Sequence, residues 1–198
     1  MAANFHPSAI QRWVERLCRI DHPALASLAH ASGTKLRPRS LPHIGAVYCF
    51  WWTGDLDRLR APDCSRSLIL KGPGGRDIPV EISDAWLGLQ ADQPVPLYVG
   101  KTSNLSKRVR GHLYLGKPRA IAVGDGVRKQ KAPTTTCQLR AGVDHLFPAV
   151  ADTRPLVLEN VGLSYVTLDG DDHAANRFYL EDLAIGLMRP PINMDVER

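Results

Sequence analysis

Apolar residues near the start of the chain recur at helical spacing. From Ser8 to about Ile20 they are separated by three or four positions, which predicts a helix with one apolar face. Pro23 interrupts this pattern, and a second short helix is expected through Leu25 and Leu28. Residues 1–43 therefore form a predicted N-terminal helical segment whose role is packing.

Three later segments have the composition of β-strands. The apolar run from Ile44 to Trp52 is rich in β-branched and aromatic side chains and predicts a buried strand. PVPLYVG (94–100) predicts a second strand, and VGLSYVTLDG (161–170) predicts a third strand followed by a turn. Between the first two, RSLIL and DIPVEI flank the turn-forming stretch KGPGGR, which predicts a hairpin inside an insertion at residues 55–95.

A helix is predicted after the second strand. Thr102 or Ser103 is expected to cap it, and it runs from about Asn104 to Leu113. A weaker helical periodicity covers residues 138–146. Together with the last helix, this order of elements predicts a small mixed α/β core interrupted by two insertions.

The last helix combines a broad apolar arc with a carboxylate. Asp171 or Asp172 is expected to cap it, and two prolines follow its predicted end at Arg189. On a helical wheel, Glu181 falls inside the apolar arc and Asp182 on the opposite, polar edge. A carboxylate on a core-facing stripe loses hydration, so Glu181 is expected to bind either a metal ion or a cationic side chain that only fixes packing. The predicted arc comprises Leu183, Leu187, Leu180, Ala184, Met188, Ala174 and Ile185.

The composition excludes several classes of protein. With 198 residues, 44% of them hydrophobic and 23% charged, the chain has neither a disordered nor a fibrous composition. Its longest apolar run is less than half of the roughly 20 residues that a membrane helix needs, and the N-terminus lacks the pattern of a secretory signal. A cytoplasmic protein of bacterial type, without a membrane partner, is expected. The four cysteines (Cys18, Cys49, Cys64 and Cys137) are expected to be reduced, a structural zinc site being the alternative.

Positive charge is concentrated in one part of the chain. The net charge is +5, but residues 101–140 contain ten Lys or Arg and a single acid, which is +9 in forty residues. This excess predicts a surface that faces a polyanion such as nucleic acid, because each neutralised phosphate releases counterions. The alternative is a solvated basic loop.

Candidate reactive groups lie on the helix after the second strand. Arg108 and His112 are four residues apart and share one face beside the apolar stripe. A guanidinium and an imidazole that project together can bind a phosphate and supply a titratable group. Lys101 directly follows Gly100, where the missing side chain lets a ligand approach the backbone. Taken singly, each of these residues is more often structural.

These residues occur in an order that resembles the GIY-YIG nuclease signature. AVY (46–48) in the first strand and YVG (98–100) in the second correspond to the two tripeptides, with Ala46 in place of the first glycine. The remaining members follow in the family's order: Arg108, His112, Glu181 and Asn193. The resemblance covers roughly residues 44–114 and 160–195.

For the fold, the resemblance implies a single α+β domain over residues 1–198, with a small, about three-stranded antiparallel sheet flanked by helices. The catalytic core comprises residues 44–54, 96–114 and 160–195. The insertion at 55–95 must loop out for the first two strands to pair, and it is interpreted as structural, as a dimer contact or as a second DNA-reading element. Residues 115–150 form a second, basic insertion that is expected to contact DNA.

For the chemistry, the resemblance implies hydrolysis of a phosphodiester with one Mg²⁺ or Mn²⁺ ion per active site. Glu181 would hold the metal, a hard ion that suits oxygen ligands and retained waters. Arg108 would stabilise charge on the scissile phosphate. Positioning and deprotonation of the attacking water, and ordering of the site, would fall to Tyr48, Tyr98, His112, Lys101 and Asn193.

The general base stays open between the two tyrosines, His112 and the metal. A phenol with a pKa near 10 needs a downward shift of about 3 units, roughly 4 kcal/mol, to be half ionised at neutral pH. If nearby cations do not supply that shift, the phenol only orients the water, and His112 or the metal removes the proton.

The resemblance and the basic window together indicate double-stranded DNA as the substrate. Because no separate DNA-binding domain is recognisable, the chain is most similar to the stand-alone restriction endonucleases of the family. This similarity implies sequence-specific cleavage by a homodimer, with a companion DNA methyltransferase encoded nearby. The alternatives are a structure-specific repair or mobile-element nuclease, a non-catalytic nucleic-acid-binding module, and RNA as the substrate. The residues expected to contact DNA are Lys107, Arg110, Lys117, Arg119, Arg128, Lys129, Lys131, Gln138 and Arg140.

Overall fold

The structure is a computed structural model, and it describes residues 7–19, 22–29, 37, 40–71, 76–89, 94–113 and 138–193. In chain order the elements are α1 (Pro7–Arg19), α2 (Leu25–Leu28), β1 (Ala46–Trp52), α3 (Asp57–Arg60), β2 (Ser67–Lys71), β3 (Asp77–Glu81), α4 (Asp84–Leu89), β4 (Val95–Thr102), α5 (Leu105–Leu113), α6 (Gln138–Leu146), α7 (Arg154–Asn160), β5 (Val161–Thr167) and α8 (Ala174–Met188). Most of the basic insertion predicted at residues 115–150 lies outside the described residues.

β1 is the central strand of a three-stranded sheet in the order β4-β1-β5. Both of its neighbours run antiparallel to it, and Tyr48 lies opposite Gly100 on β4 and Tyr165 on β5. All seven residues of β1 are buried, as expected for a strand that is covered on both faces. The predicted small antiparallel sheet flanked by helices is confirmed, and β1 pairs with β4 although the first insertion separates them along the chain.

The alternation of side chains along β1 divides the core into two layers. Tyr48, Phe50 and Trp52 pack on the face that is covered by α5 and α6. The odd-numbered residues from Val47 to Trp51 pack on the opposite face, with α1 and α8. The sheet therefore lies between two helical layers, and consecutive residues on a strand face different layers.

The first insertion forms the predicted hairpin and then returns to the core. β2 and β3 pair antiparallel, with Leu68 opposite Val80. α4, which the sequence pattern did not predict, follows the hairpin, and its Trp86 Nε1 donates to the carbonyl of Arg189 at the end of α8 over 3.0 Å. α3 and α7 were also not predicted.

The caps of the two site helices differ from the prediction. Asn104, and not Thr102 or Ser103, caps α5, because its Oδ1 accepts a hydrogen bond from Lys107 N over 2.9 Å. The α8 helix begins after a short 3₁₀ turn, Asp171–His173, and no side chain caps it. It ends one residue before the predicted end, at Met188.

The buried face of α8 is narrower than the predicted arc. Leu180, Ala184 and Met188 are buried, but Leu183 and Leu187 are 40% and 65% exposed. Two polar side chains take part of the buried face instead, Asn176 and Arg177. The Arg177 guanidinium donates to the carbonyls of Leu168 and Gly170, which satisfies its charge among buried groups.

Two further predictions concern membrane-spanning helices and the state of the cysteines. Within the described ranges, no helix has the length and apolar character needed to cross a bilayer. Cys18, Cys49 and Cys64 carry free thiols, and Cys137 lies outside the described residues.

Candidate active site

Two tyrosines from neighbouring strands meet on the face of the sheet that α5 covers. Tyr48 on β1 and Tyr98 on β4 have ring centroids 6.1 Å apart. Gly100 lies opposite Tyr48, and a Cβ atom at that position would come within 2.6 Å of Tyr48 Oη. The glycine of the YVG tripeptide therefore leaves the space that the Tyr48 hydroxyl occupies.

The α5 helix adds an imidazole and a guanidinium to the same hydroxyl. His112 Nε2 lies 2.7 Å from Tyr48 Oη, and Arg108 Nε donates to that oxygen over 3.1 Å. The two side chains reach one atom because they are one helical turn apart and α5 is anchored by its buried apolar face. The charge of Arg108 also acts on Tyr98, whose pKa it lowers. We call Tyr48, Tyr98, Arg108 and His112 the phenol cluster.

His112 is a neutral imidazole in this cluster. Its side chain is fully buried, and burial, together with the charge of Arg108, lowers its pKa to about 3. The backbone N–H of Leu139 points at Nδ1 over 3.5 Å, which favours the tautomer with the ring proton on Nε2. In that tautomer His112 donates to Tyr48 Oη and accepts no proton from it.

The two phenols are protonated at neutral pH. Burial raises the pKa of Tyr48 well above its ordinary value, and the pKa of Tyr98 is also raised by burial while Arg108 opposes the increase. The neighbouring phenol also acts on each of them: Tyr98 raises the pKa of Tyr48, whereas Tyr48 lowers the pKa of Tyr98. A phenolate base at neutral pH requires a lowered pKa. Neither tyrosine meets this condition, because the pKa of each is raised.

A carboxylate and an ammonium form a second group on the other face of β4. Lys101 N donates to Glu181 Oε1 over 2.9 Å, and Lys101 Nζ pairs with Glu181 Oε2. The Glu181 side chain is 17% exposed and that of Lys101 is 39% exposed. The carboxylate that the helical wheel placed among apolar residues thus has a cationic partner and access to solvent. We call Glu181 and Lys101 the carboxylate pair.

The phenol cluster and the carboxylate pair lie close together. They approach from the two faces of β4, which is an edge strand of the sheet. The charge of Glu181 raises the pKa of Tyr98, so these groups interact through space. A phosphate placed at this edge would meet the Arg108 guanidinium and the Lys101 ammonium from the two sides.

Asn193 holds the edge strand in place. Its Oδ1 accepts a hydrogen bond from Val99 N and its Nδ2 donates to Val99 O, both over 2.7 Å. One amide thus satisfies both backbone groups of the residue between Tyr98 and Gly100. The structure brings all seven predicted catalytic residues together, with Asn193 acting through the backbone of β4.

The predicted DNA contacts fall into three groups. Lys107 and Arg110 are exposed on α5, and their charged ends pair with no carboxylate within the described part of the chain. Gln138 instead donates to the carbonyl of Ile192 over 3.1 Å. Arg140 is also turned inward: it is 8% exposed and pairs with Asp144 and Asp152. The predicted contacts Lys117, Arg119, Arg128, Lys129 and Lys131 lie outside the described residues.

The inward placement of Arg140 corrects the prediction that it contacts DNA. Its Nε donates to Thr153 Oγ1 over 2.8 Å, and the Asp144 carboxylate lies one helical turn further along α6. A buried guanidinium with these partners stabilises the junction of α6 and α7 and cannot extend to a base edge without leaving carboxylates unpaired.

The first insertion borders a groove that reaches the site. The groove has a volume of about 890 Å³ and lies between β3, α4 and the end of α8. Trp86, Ile185 and Asn193 are among the residues that line it. The insertion is therefore adjacent to the candidate active site.

Two contributors to the site were missed from the sequence. The Leu139 N–H that orients His112 belongs to the backbone and has no signal in the side-chain pattern. Phe178 is an exposed aromatic ring whose centroid lies 5.0 Å from Lys101 Nζ. Its spacing of three residues before Glu181 was the available signal.

Comparison of the chain with protein-family models, with curated proteins and with solved structures finds no match. The chemistry of the site therefore has to be argued from its own residues.

Proposed function

We propose that this protein is a metal-dependent endonuclease that hydrolyses DNA phosphodiester bonds, with the GIY-YIG arrangement of its site. The observation that carries the proposal is the joint placement of the phenol cluster and the carboxylate pair at one edge of the sheet. Two cations and a single accessible carboxylate at the edge of one strand are suited to a phosphodiester and a divalent ion.

The donor set fits Mg²⁺ or Mn²⁺, one ion per active site. Glu181 is the residue that would hold it, and the described residues contain no group of three or more His, Cys, Asp or Glu side chains that could form a closed metal site. One carboxylate suits an ion that keeps most of its waters and also binds substrate oxygens, as Mg²⁺ does. When bound, such an ion supplies charge neutralisation and a more acidic water.

The phenol cluster would bind the phosphate and orient the attacking water. Arg108 carries the positive charge nearest both phenols and would bind a non-bridging phosphate oxygen. Tyr98 is the phenol that faces the substrate in this proposal, because it feels the Glu181 charge, whereas Tyr48 is fully buried and holds the hydrogen-bond chain from His112. With its raised pKa, the Tyr98 hydroxyl would orient the water and would not deprotonate it.

Double-stranded DNA is the proposed substrate, cut at specific sequences in the manner of a type II restriction enzyme. The excess of +9 over residues 101–140 supports a polyanionic partner, and Lys107 and Arg110 on α5 carry part of it beside the site. Since one site hydrolyses one strand, cleavage of both strands requires two copies, and we propose a homodimer. A companion methyltransferase would protect the host's own copies of the site.

The test is incubation of the pure protein with unmethylated plasmid and phage DNA, with Mg²⁺ and with EDTA. Discrete bands that depend on Mg²⁺ would support sequence-specific cleavage, and their mapped ends would give the site. A smear or nicking alone would favour a structure-specific repair or mobile-element enzyme. Binding without cleavage of any DNA or RNA tested would favour the non-catalytic module.

Two substitutions on α8 assign the activity to the site. Glu181→Gln keeps the shape of the side chain but removes its charge, so it should retain DNA binding and lose cleavage. Asp182→Asn is the matched control, because it removes the neighbouring carboxylate on the exposed side of the helix and should cut like the wild type. Cleavage at the wild-type rate by the Glu181→Gln variant contradicts the assignment.

A further inference from the structure

Phe178 is a large apolar side chain placed at the rim of the candidate active site. It is 54% exposed, and its ring centroid lies 5.0 Å from the ammonium nitrogen of Lys101. That ammonium also pairs with Glu181. The lysine thus lies between an exposed aromatic ring and the carboxylate that is proposed to hold the metal.

Phe178 belongs to the site side of α8. Residues three or four apart on a helix share a face, so Phe178, Glu181 and Ile185 form one row. The exposed Leu183 and Leu187 lie on a different face of the same helix, away from this row. An apolar contact made by the leucines would therefore not explain why a phenyl ring stands beside Lys101.

The ring is held in a defined orientation. Tyr179 packs against it edge to face, with centroids 5.7 Å apart and planes at 82°. The Lys101 ammonium lies over the same ring. A ring that keeps two such contacts while about half of the side chain is exposed can bind a flat partner with less loss of conformational entropy than an unconstrained side chain.

An aromatic ring next to cations is a common arrangement for holding one nucleotide. The cations interact with the phosphate, and the ring stacks on the base, whichever base it is. In this site Lys101 and Arg108 would supply the charge, and Phe178 is the exposed ring nearest to Lys101.

We propose that Phe178 stacks on the nucleotide next to the scissile phosphate and positions that phosphate at Glu181. This inference rests on the proposed endonuclease function. The ligand class is a nucleobase that is at least partly unstacked from its own neighbours. Because stacking on a ring tolerates every base, Phe178 contributes to affinity and positioning, and sequence recognition falls to other residues.

The test compares substitutions of two exposed apolar residues on α8. Affinity is measured by fluorescence anisotropy, with Ca²⁺ in place of Mg²⁺, for fluorescein-labelled oligo-dT and for a labelled mixed-sequence duplex. Phe178→Ala should weaken binding of oligo-dT by about tenfold and slow plasmid cleavage, and Phe178→Trp should restore both. Leu187→Ala removes a comparably exposed side chain from the other face and should match the wild type.

A second pair of variants separates stacking from support of Lys101. If Phe178 acts only by holding the lysine, Phe178→Ala has no further effect once Lys101→Ala is present. Stacking on the nucleotide predicts the same fold-loss in both backgrounds. Equal thermal midpoints for the wild type, the two single variants and the double variant establish that the fold is unchanged.

The outcomes separate this inference from the nuclease proposal. Wild-type affinity in the Phe178→Ala variant, or an equal loss in the Leu187→Ala variant, overturns the role of Phe178, while loss of cleavage in Glu181→Gln keeps the nuclease proposal standing. No cleavage by the wild type of any DNA overturns the nuclease proposal, and a loss of about tenfold in oligo-dT binding by Phe178→Ala still supports the stacking contact. Absence of all nucleic-acid binding overturns both.

Discussion

The buried His112 makes the stability of the fold depend on pH. In the unfolded chain a histidine takes up a proton near pH 6.5, whereas in the folded protein burial lowers the pKa of His112 to about 3. Between these values the unfolded state binds more protons than the folded state, so stability falls as the pH falls. Above about pH 6.5 both states are neutral at this residue and the contribution is constant.

The magnitude follows from proton linkage. When the unfolded state binds one proton more than the folded state, the free energy of unfolding changes by about 1.4 kcal/mol per pH unit. His112 alone should therefore lower the free energy of unfolding by about 2 kcal/mol between pH 6.5 and 5. The pKa values of Asp152 and Asp169 are lowered in the folded protein. Both carboxylates therefore contribute their full stabilisation above the pKa of an unfolded aspartate, near pH 4. Their stabilisation is lost only at pH values below the range from about 5 to 6.5 in which the effect of His112 is measured.

The assay is urea unfolding monitored by tryptophan fluorescence at several pH values. His112→Gln removes the titrating group and keeps a donor for Tyr48, so it should flatten the slope between about pH 5 and 6.5. His43→Gln, at an exposed histidine, is the matched control and should keep the wild-type slope. If the wild type and His112→Gln show the same slope, the neutral buried imidazole is refuted, and with it the proposed hydrogen-bond chain to Tyr48.

Three further predictions address packing, chemistry and charge. Gly100→Ala should cost about 1–3 kcal/mol of stability, because its Cβ would meet Tyr48 Oη at 2.6 Å. Gly88→Ala, on helix α4 with open space around it, should instead gain about 0.5 kcal/mol; urea midpoints compare the two. Tyr98→Phe should reduce plasmid cleavage more than it reduces DNA affinity, since the lost hydroxyl acts on the water, and equal losses would speak against that role. Replacing Lys107 and Arg110 together by Ala should weaken DNA binding and reduce its salt slope by about 2, and an unchanged slope would remove α5 from the interface.

The elements of the sheet could be predicted because their signals are local. The run that ends in CFWW is too rich in aromatic and β-branched side chains for a surface helix, and β1 forms within it. The α6 helix has the predicted bounds. The pairing of β1 with β4 could be inferred only through the resemblance, because nothing local to either strand specifies a partner beyond the insertion.

Two of the predictions that failed concern polar residues in buried places. The apolar arc assigned Leu187 to the core, but Arg177 is buried instead, since Leu168 and Gly170 offer it carbonyl acceptors across the chain. Arg140 was predicted to contact DNA although Asp144 follows it at the spacing of a helical ion pair. In both cases the partner that buries the arginine is a hydrogen-bond acceptor. The pattern of apolar positions along the chain does not indicate where such acceptors lie.

For the candidate site, the side chains could be predicted and their proton states could not. Six of the seven predicted catalytic residues were named by the order of motifs, and Glu181 also by the helical wheel. The neutral state of His112 depends on its full burial and on Arg108, and the assignment of Tyr98 as the outer phenol depends on its interaction with Glu181 and on the full burial of Tyr48. These are properties of the assembled core, which no spacing in the sequence encodes.

The central position of β1 has a consequence for how the chain folds. Its contacts join residues that are far apart: Tyr48 to His112 over 64 positions and Trp51 to Ser164 over 113. Contacts between residues that are so far apart in sequence slow folding. During synthesis, β1 also emerges before either partner strand. A growing chain therefore carries an apolar strand that has no partner until β4 is complete and keeps one unpaired edge until β5 is complete, a period in which chaperone protection matters. Until Asn193 has been added and has bound Val99 across 94 positions, the edge strand β4 of the same chain lacks the amide that pairs with its outer backbone groups.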